Sequence, residues 1–204
     1  MRLLIFILLL SFSSSYFSQS NDSFTDKRNG KTYKTVTIDG ITWMAENLNV
    51  VTFNNGDTII EAKTKKEWQN ARKNKIPAWC FYENFNENST KNGRLYNFYA
   101  LNDERGIAPE GWEIPSIKEF MRNENQLFNT EFKNGITLSG MRWGRRAKFQ
   151  SLNYSSFIWS KTMNDVQSEW ADGAYVFSFG SDGYCDFDGY DFGFGMSIRC
   201  IKKK

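Results

Sequence analysis

The stretch from Gly93 to Phe120, GRLYNFYALNDERGIAPEGWEIPSIKEF, constrains the fold more than any other part of the chain. Apolar and aromatic residues are dense from Leu95 to Leu101, which predicts a buried helix. Ser116 and Glu119 have the spacing of a capping box, which predicts a second helix running to about Leu127. The residues of this stretch expected to lie in the core are Leu95, Tyr96, Phe98, Trp112, Ile114 and Phe120.

Short strand signals lie on both sides of this stretch. Tyr33 to Ile38 alternates apolar and polar residues, Asp39-Gly40 is a two-residue turn signal, and Ile41 to Trp43 continues as the partner strand. Ala174 to Phe179 also alternates, and Met196 to Ile201 is predicted to be the closing strand. Short strands mixed with short helices predict an α+β domain.

The remaining segments carry weaker signals. Thr64 and Glu67 have capping-box spacing, so a short helix is expected over Lys65 to Lys73. Residues 129–156 are basic and weakly patterned, and are interpreted mainly as loops. Residues 180–195, rich in Gly, Asp and aromatic residues, are expected to form a loop or a wide hairpin.

The N-terminal 20 residues indicate export. Arg2 precedes a continuous apolar run from Leu3 to Leu10, and small residues follow at Ser18 and Ser20, as in a signal peptide. The run is too short for an ordinary transmembrane helix, and no cysteine follows it to carry a lipid anchor. We therefore expect a secreted or cell-surface protein with no stable membrane span, a polar leader over 21–34 and a single domain over 35–203.

Charge and composition exclude several functions. The formal net charge is only +3, which argues against a nucleic-acid partner because such binding needs a concentrated basic face. The chain has no histidine, which excludes Ser-His-Asp and Cys-His catalysis and any His-ligated metal. Glu104, Glu110 and Glu113 flank the central aromatic residues, but their spacing singles out no catalytic pair.

An ordered set of motifs resembles a known family. The motifs are VTIDGITWMAENLNV (36–50), WCFYENF (79–85), GRLYNFYALNDERGIAPEGWEIPS (93–116), FIWSKT (157–162) and GMSIRC (195–200). Together they are similar to the Fibrobacter succinogenes major paralogous domain, over about residues 35–203. The resemblance implies a C-type-lectin-like fold and a bacterial surface location. The chain departs from the family at Glu113, where His is common, at Cys185, and between Phe128 and Phe157, where the match is poor.

The same resemblance bears on the three cysteines. Cys80 and Cys200 lie within matching motifs, so a Cys80–Cys200 disulfide is the favoured hypothesis, with Cys185 left free. A Cys185–Cys200 bond and no bond at all are the alternatives.

Acidic residues near the C-terminus are candidate calcium ligands. Asp182, Asp186, Asp188 and Asp191 could present several carboxylate oxygens from a flexible loop, which is the coordination that Ca²⁺ requires. Their spacing matches no EF-hand, and Asp beside Gly is also ordinary turn chemistry. No other cofactor is indicated.

Aromatic residues in the same region are candidate ligand contacts. Trp170, Tyr184 and Tyr190, together with Asp186 and Asp188, combine rings that stack on sugars with groups that bind hydroxyls. The alternative is that many of these rings form the core beneath the last strands, as the alternation at Tyr175, Phe177 and Phe179 indicates. Trp43, Trp112 and Trp159 are assigned to the core.

These observations favour a secreted, non-catalytic binding or adhesion module. Its C-terminal loop region would contact a glycan or a surface protein. A structural surface protein with a protein partner is the first alternative. The second is an enzyme distantly related to formylglycine-generating enzymes, whose chemistry needs two poised cysteines.

Overall fold

The computed structural model describes residues 22–85, 92–122, 137–164 and 173–203. The predicted signal peptide, the predicted helix end at Leu127 and the candidate contact Trp170 lie outside these ranges. No helix in the described ranges has the length and apolar character needed to cross a membrane.

The described residues form short strands with a few short helices. The strands are β1 Ser23–Thr25, β2 Thr32–Ile38, β3 Ile41–Met44, β4 Ile60–Glu61, β5 Ala78–Cys80, β6 Leu95–Tyr96, β7 Trp112–Glu113, β8 Ser139–Arg142, β9 Phe149–Leu152, β10 Ser155–Met163, β11 Gly173–Gly180, β12 Cys185–Asp191 and β13 Ile201–Lys202. The helical elements are α1 Lys65–Lys73, a 3₁₀ turn Tyr82–Asn84, α2 Phe98–Leu101 and residues 117–122. The strands pair in the orders β1-β2-β3-β13-β7, β12-β11-β10-β8-β9 and β4-β5-β6. The predicted α+β class is confirmed.

The β2–β3 hairpin and α1 form where the sequence predicts them. Asp39 and Gly40 both have positive φ (49° and 74°), the backbone of a tight hairpin turn whose twist matches the strands. At α1, Thr64 Oγ1 accepts from Glu67 N at 3.2 Å, and Thr64 N donates to the Glu67 carboxylate at 2.8 Å. This is the predicted capping box, and the helix buries Trp68 on its inner side.

The predicted helix over Leu95 to Leu101 is wrong in its first half. Leu95 and Tyr96 form β6, which pairs with β5, and only Phe98–Leu101 is helical. Asn97 separates the two, because its side-chain oxygen accepts from Ala100 N and caps the helix. Burial on all sides removes the periodicity that would distinguish strand from helix.

Three segments are more ordered than the sequence suggests. Part of the predicted loop 129–156 is the β8–β9 hairpin, and the predicted leader 21–34 contains β1 and the start of β2. Within 180–195, β12 pairs with β11 along its whole length, so the wide-hairpin interpretation holds and the loop interpretation does not.

The core contains the residues expected from the central stretch. Leu95, Tyr96, Phe98, Trp112, Ile114 and Phe120 are all buried, as are Trp43 and Trp159. The apolar side chains form three clusters, of which one lies around Trp159 and Tyr96, one around Trp43 and Phe120, and one beneath α1 around Trp68.

Candidate functional site

The β11–β12 hairpin brings three of the predicted ligand contacts to one exposed edge. Along β12 and the turn before it, Tyr184, Asp186 and Asp188 are exposed, while Phe187 points inward and lies 5.4 Å from the ring of Phe177. Tyr184 is 66% exposed at the turn, where its backbone N–H donates to Asp182. Asp186 and Asp188 lie two residues apart on β12, so they share one face of the sheet.

Tyr190, a predicted ligand contact, lies within β12 and packs against other aromatic rings. Its ring lies 5.4 Å from Phe194 and 6.0 Å from Phe157, with edge-to-face geometry in both pairs. Burial raises the pKa of Tyr190 to about 12. Tyr190 is therefore a half-buried strand residue whose ring packs on Phe157 and Phe194, and its role as a ligand contact stays a prediction.

The four candidate calcium ligands do not converge. Asp191 forms a bidentate pair with Arg72, and its Oδ1 also accepts from Gly193 N. Asp186 and Asp188 each accept from the next backbone N–H of the same strand, and Asp182 accepts within its turn. Across the described ranges, no group of three or more carboxylate or thiol side chains is placed to hold a metal ion.

Cys80 and Cys200 are both free thiols, so the predicted Cys80–Cys200 disulfide is not formed. Cys80 lies in the cluster beneath α1, whereas Cys200 lies in the separate cluster around Trp159. Burial raises the pKa of the Cys80 thiol to about 11 and raises that of Cys200 further. Neither thiol provides a reactive thiolate near neutral pH.

A cleft of about 1020 Å³ lies away from this hairpin. One wall is residues 24–28, from β1 and the turn after it, and the other is residues 101–114, which follow α2. Below them, the ring of Phe24 stacks on Trp112 at 4.3 Å between centroids. Trp112 is itself buried, so Phe24 supplies the accessible part of this aromatic pair.

An internal ion pair fixes the first wall of the cleft. Arg28 donates from Nε to Asp26 Oδ1 at 3.0 Å and from Nη2 to Asp26 Oδ2 at 2.7 Å. Its remaining Nη1 donates to the carbonyl oxygens of Thr52 and Ile107. The bidentate pair with Asp26 has the geometry that gives Arg its strongest contacts, and the bond to Ile107 O ties residues 24–28 to the opposite wall.

Two pairs of opposite charges lie at the rim of the cleft. Lys161 Nζ lies 2.7 Å from Glu113 Oε2, and Lys27 Nζ lies 3.4 Å from Glu110 Oε2. Asn102 adds an exposed amide. The cleft therefore offers an apolar floor, neutral hydrogen-bonding groups and three ion pairs, with Lys203 as one additional cation. Sequence reasoning missed it because residues 24–28 were assigned to a leader, although Phe24 was a visible aromatic signal there.

Comparison with known proteins gives one family. The family model of the Fibrobacter succinogenes major domain matches residues 36–137. No curated protein and no solved structure is significantly similar to the chain. The matched residues include the second wall of the cleft, while residues 24–28 and the β11–β12 hairpin lie outside the match.

Proposed function

The chain belongs to the Fibrobacter succinogenes major domain family, and from that premise we propose that it is an exported, non-catalytic binding module with a C-type-lectin-like fold. The observation that carries the proposal is the cleft between residues 24–28 and 101–114, with its aromatic floor and paired rim charges. Concave sites with an apolar lining and a few placed polar groups are typical of ligand binding.

The balance of charge in the cleft favours a neutral ligand. Each rim carboxylate named above already has a cation beside it, so a cationic ligand would compete with an existing pair, and Lys203 is the lining cation outside these pairs. A glycan offers an apolar ring face to Phe24 and hydroxyl groups to Asn102, which is the combination that this lining complements. The proposed ligand is therefore a neutral oligosaccharide.

The side-chain chemistry supports binding over catalysis. The chain has no histidine to act as a general base. The pKa values of Cys80 and Cys200 are raised by burial, which opposes a thiolate nucleophile. The formylglycine-type alternative needs two accessible, activated cysteines, and Cys200 is fully buried.

A surface protein bound at the β11–β12 hairpin is the second candidate. Tyr184, Asp186 and Asp188 supply an exposed ring beside two carboxylates on an edge strand. Exposed edge strands present unpaired backbone groups that can accept another chain. This arrangement would suit a structural or adhesive role.

Two substitutions distinguish the candidates. Asn102→Arg puts a bulky cation into the cleft from an exposed position, and Tyr184→Ala removes the hairpin ring. Binding of residues 21–204 would be measured on a neutral glycan array. The matched control is Thr37→Arg, which adds the same side chain at an exposed position of β2.

The proposal predicts that Asn102→Arg alone abolishes the glycan signal. Loss with Tyr184→Ala alone would move the site to the hairpin. Absence of any glycan signal together with a co-purifying surface protein would replace the glycan with a protein ligand.

A further inference from the structure

The positive charge of this chain is concentrated in two segments. Residues 63–75 contain six Lys or Arg and one carboxylate, and residues 142–148 contain four Lys or Arg and no carboxylate. The whole chain has a net charge of only +3, so the rest of it is net negative. The overall charge therefore conceals a strongly basic region.

The fold places these two segments side by side. The guanidinium of Arg142 is buried, and it donates to the carbonyl oxygens of Ala62 at 2.7 Å and of Lys63 and Thr64 at 3.1 Å each. Gln69 Nε2, on α1, donates to the carbonyl oxygen of Arg145 at 2.9 Å. These contacts hold the β8–β9 turn against the side of α1.

Helix geometry directs the lysines of α1 toward this turn. Gln69 follows Lys65 by four residues and Lys66 by three, and it precedes Lys73 by four. All three lysines therefore lie on the same side of the helix as Gln69. Glu67, the only carboxylate of α1, lies about 160° around the helix from Gln69 and is used in the capping box. No acidic residue of the helix interrupts the basic side.

Within the described ranges, some of these cations are paired with a carboxylate and others are not. Lys63 pairs with Glu61, and Arg72 pairs with Asp191. In the part of the chain that the structure describes, no carboxylate forms an ion pair with Lys65, Lys66, Lys73, Arg145 or Arg146. All five are exposed. We call this set the α1–turn surface.

We propose that the α1–turn surface binds an acidic polysaccharide that carries carboxylate or sulfate groups. The guanidinium of Arg146 lies 5.6 Å from the ring of half-buried Trp143, so a planar cation adjoins an apolar ring. That pairing suits a sugar ring that bears an anionic group, because Arg binds such groups through two parallel hydrogen bonds. The Trp143 ring is held by its Nε1–H, which donates to Gln150 Oε1 at 2.7 Å.

Other polyanions fit this surface less well. The large exposed apolar side chains of the described ranges, such as Ile60, Phe85 and Tyr184, lie outside it, so it has no residue to insert into a lipid bilayer. Single-stranded nucleic acid is bound by a series of stacking rings, and here Trp143 is a single ring. The turn covers α1 at Gln69, which keeps the helix from entering a duplex groove.

A matched pair of variants tests the proposal. One variant replaces Lys66, Arg145 and Arg146 with Gln. The control replaces three exposed lysines elsewhere, Lys34, Lys118 and Lys202, with Gln, which changes the net charge equally. The probes are polygalacturonate, heparin, neutral dextran, single-stranded DNA and vesicles containing anionic phospholipid, each measured over a range of salt concentrations.

The proposal predicts salt-sensitive binding of polygalacturonate or heparin, and any dextran binding that the cleft provides should be equal in the first variant and the wild type. Affinity should fall about tenfold in the first variant and change by less than about twofold in the control. Equal losses in the two variants would overturn the proposal, because the attraction would then belong to overall charge. Tighter binding of DNA or vesicles than of either acidic polysaccharide would also overturn it. Asn102→Arg should leave this binding unchanged, so failure of the cleft proposal and failure of this one are separable.

Discussion

Arg142 is the residue whose replacement tests the fold most directly. Its side chain is 1% exposed and lies between the rings of Trp68 and Phe149, each 4.8 Å from the guanidinium carbon. It donates hydrogen bonds to three consecutive carbonyl oxygens, at residues 62–64, just before α1 begins. Arg142→Met keeps an apolar stem of similar length in the same place and removes the donors.

The expected cost follows from the acceptors that are left behind. Thr64 O also accepts from Trp68 N and keeps a partner, so the carbonyl groups of Ala62, Lys63 and Ala147 are the ones that lose their guanidinium donor. Each buried acceptor without a donor costs about 1–3 kcal/mol, and relief of the buried charge offsets part of that cost. We therefore expect Arg142→Met to lower the free energy of unfolding by about 2–4 kcal/mol. Arg142→Lys should cost at least as much, because one ammonium remains buried and cannot match the fork of donors.

Urea unfolding followed by tryptophan fluorescence measures this free energy, since Trp68 lies beside the guanidinium. Arg145→Met is the control, because Arg145 is exposed three residues further along and should change stability by less than about 0.5 kcal/mol. A loss below about 1 kcal/mol for Arg142→Met would refute the reasoning that these carbonyl contacts hold the hairpin to the helix.

Three further outcomes are expected. Gly140→Ala should destabilise the protein by more than about 2 kcal/mol, because Gly140 has φ +62° and a Cβ would stand 2.5 Å from a backbone oxygen. The control is Gly30→Ala, which has a similar φ of +69° but lies in open space. It should cost only about 1 kcal/mol in the same assay. A thiol reagent should modify half-buried Cys185 in the native protein but Cys80 and Cys200 only after unfolding, and early modification of Cys80 would contradict its burial. Burial raises the pKa of Cys80 from 9.0 to about 11. The free energy by which the wild type is more stable than Cys80→Ala should therefore be largest below pH 9 and shrink as the pH rises toward 11. A constant difference over that range would show that the thiol pKa is not raised.

The features predictable from sequence depend on partners close along the chain. The Asp39-Gly40 turn needs only the backbone freedom of two adjacent residues, and the α1 cap needs Thr64 and Glu67, three residues apart. Such local signals survive in any sequence window. They explain why the first hairpin and α1 were predicted with correct positions.

The features that were missed depend on distant partners. Arg142 is polar and looks like a loop residue until its acceptors, 78 to 80 residues earlier in the chain, are known. Tyr190 looks like a loop-tip residue until β12 pairs with β11 and turns its ring toward Phe194. The wrong disulfide has the same origin, since shared membership in a motif set does not bring Cys80 and Cys200 into one cluster.

Both proposed binding surfaces combine a wall inside the family match with a wall outside it. The cleft sets residues 101–114, within the match, against residues 24–28 before it. The α1–turn surface sets α1, within the match, against the β8–β9 turn after it. Arg28 and Arg142 attach the unmatched walls to the matched part in the same way, since each guanidinium donates to backbone carbonyl oxygens of the matched part. Because the acceptors are backbone atoms, each attachment requires only that the unmatched wall keeps its arginine, and the other side chains of that wall can change. Differences in ligand between members of such a family are therefore expected to follow the unmatched walls, with the matched part retained as the scaffold.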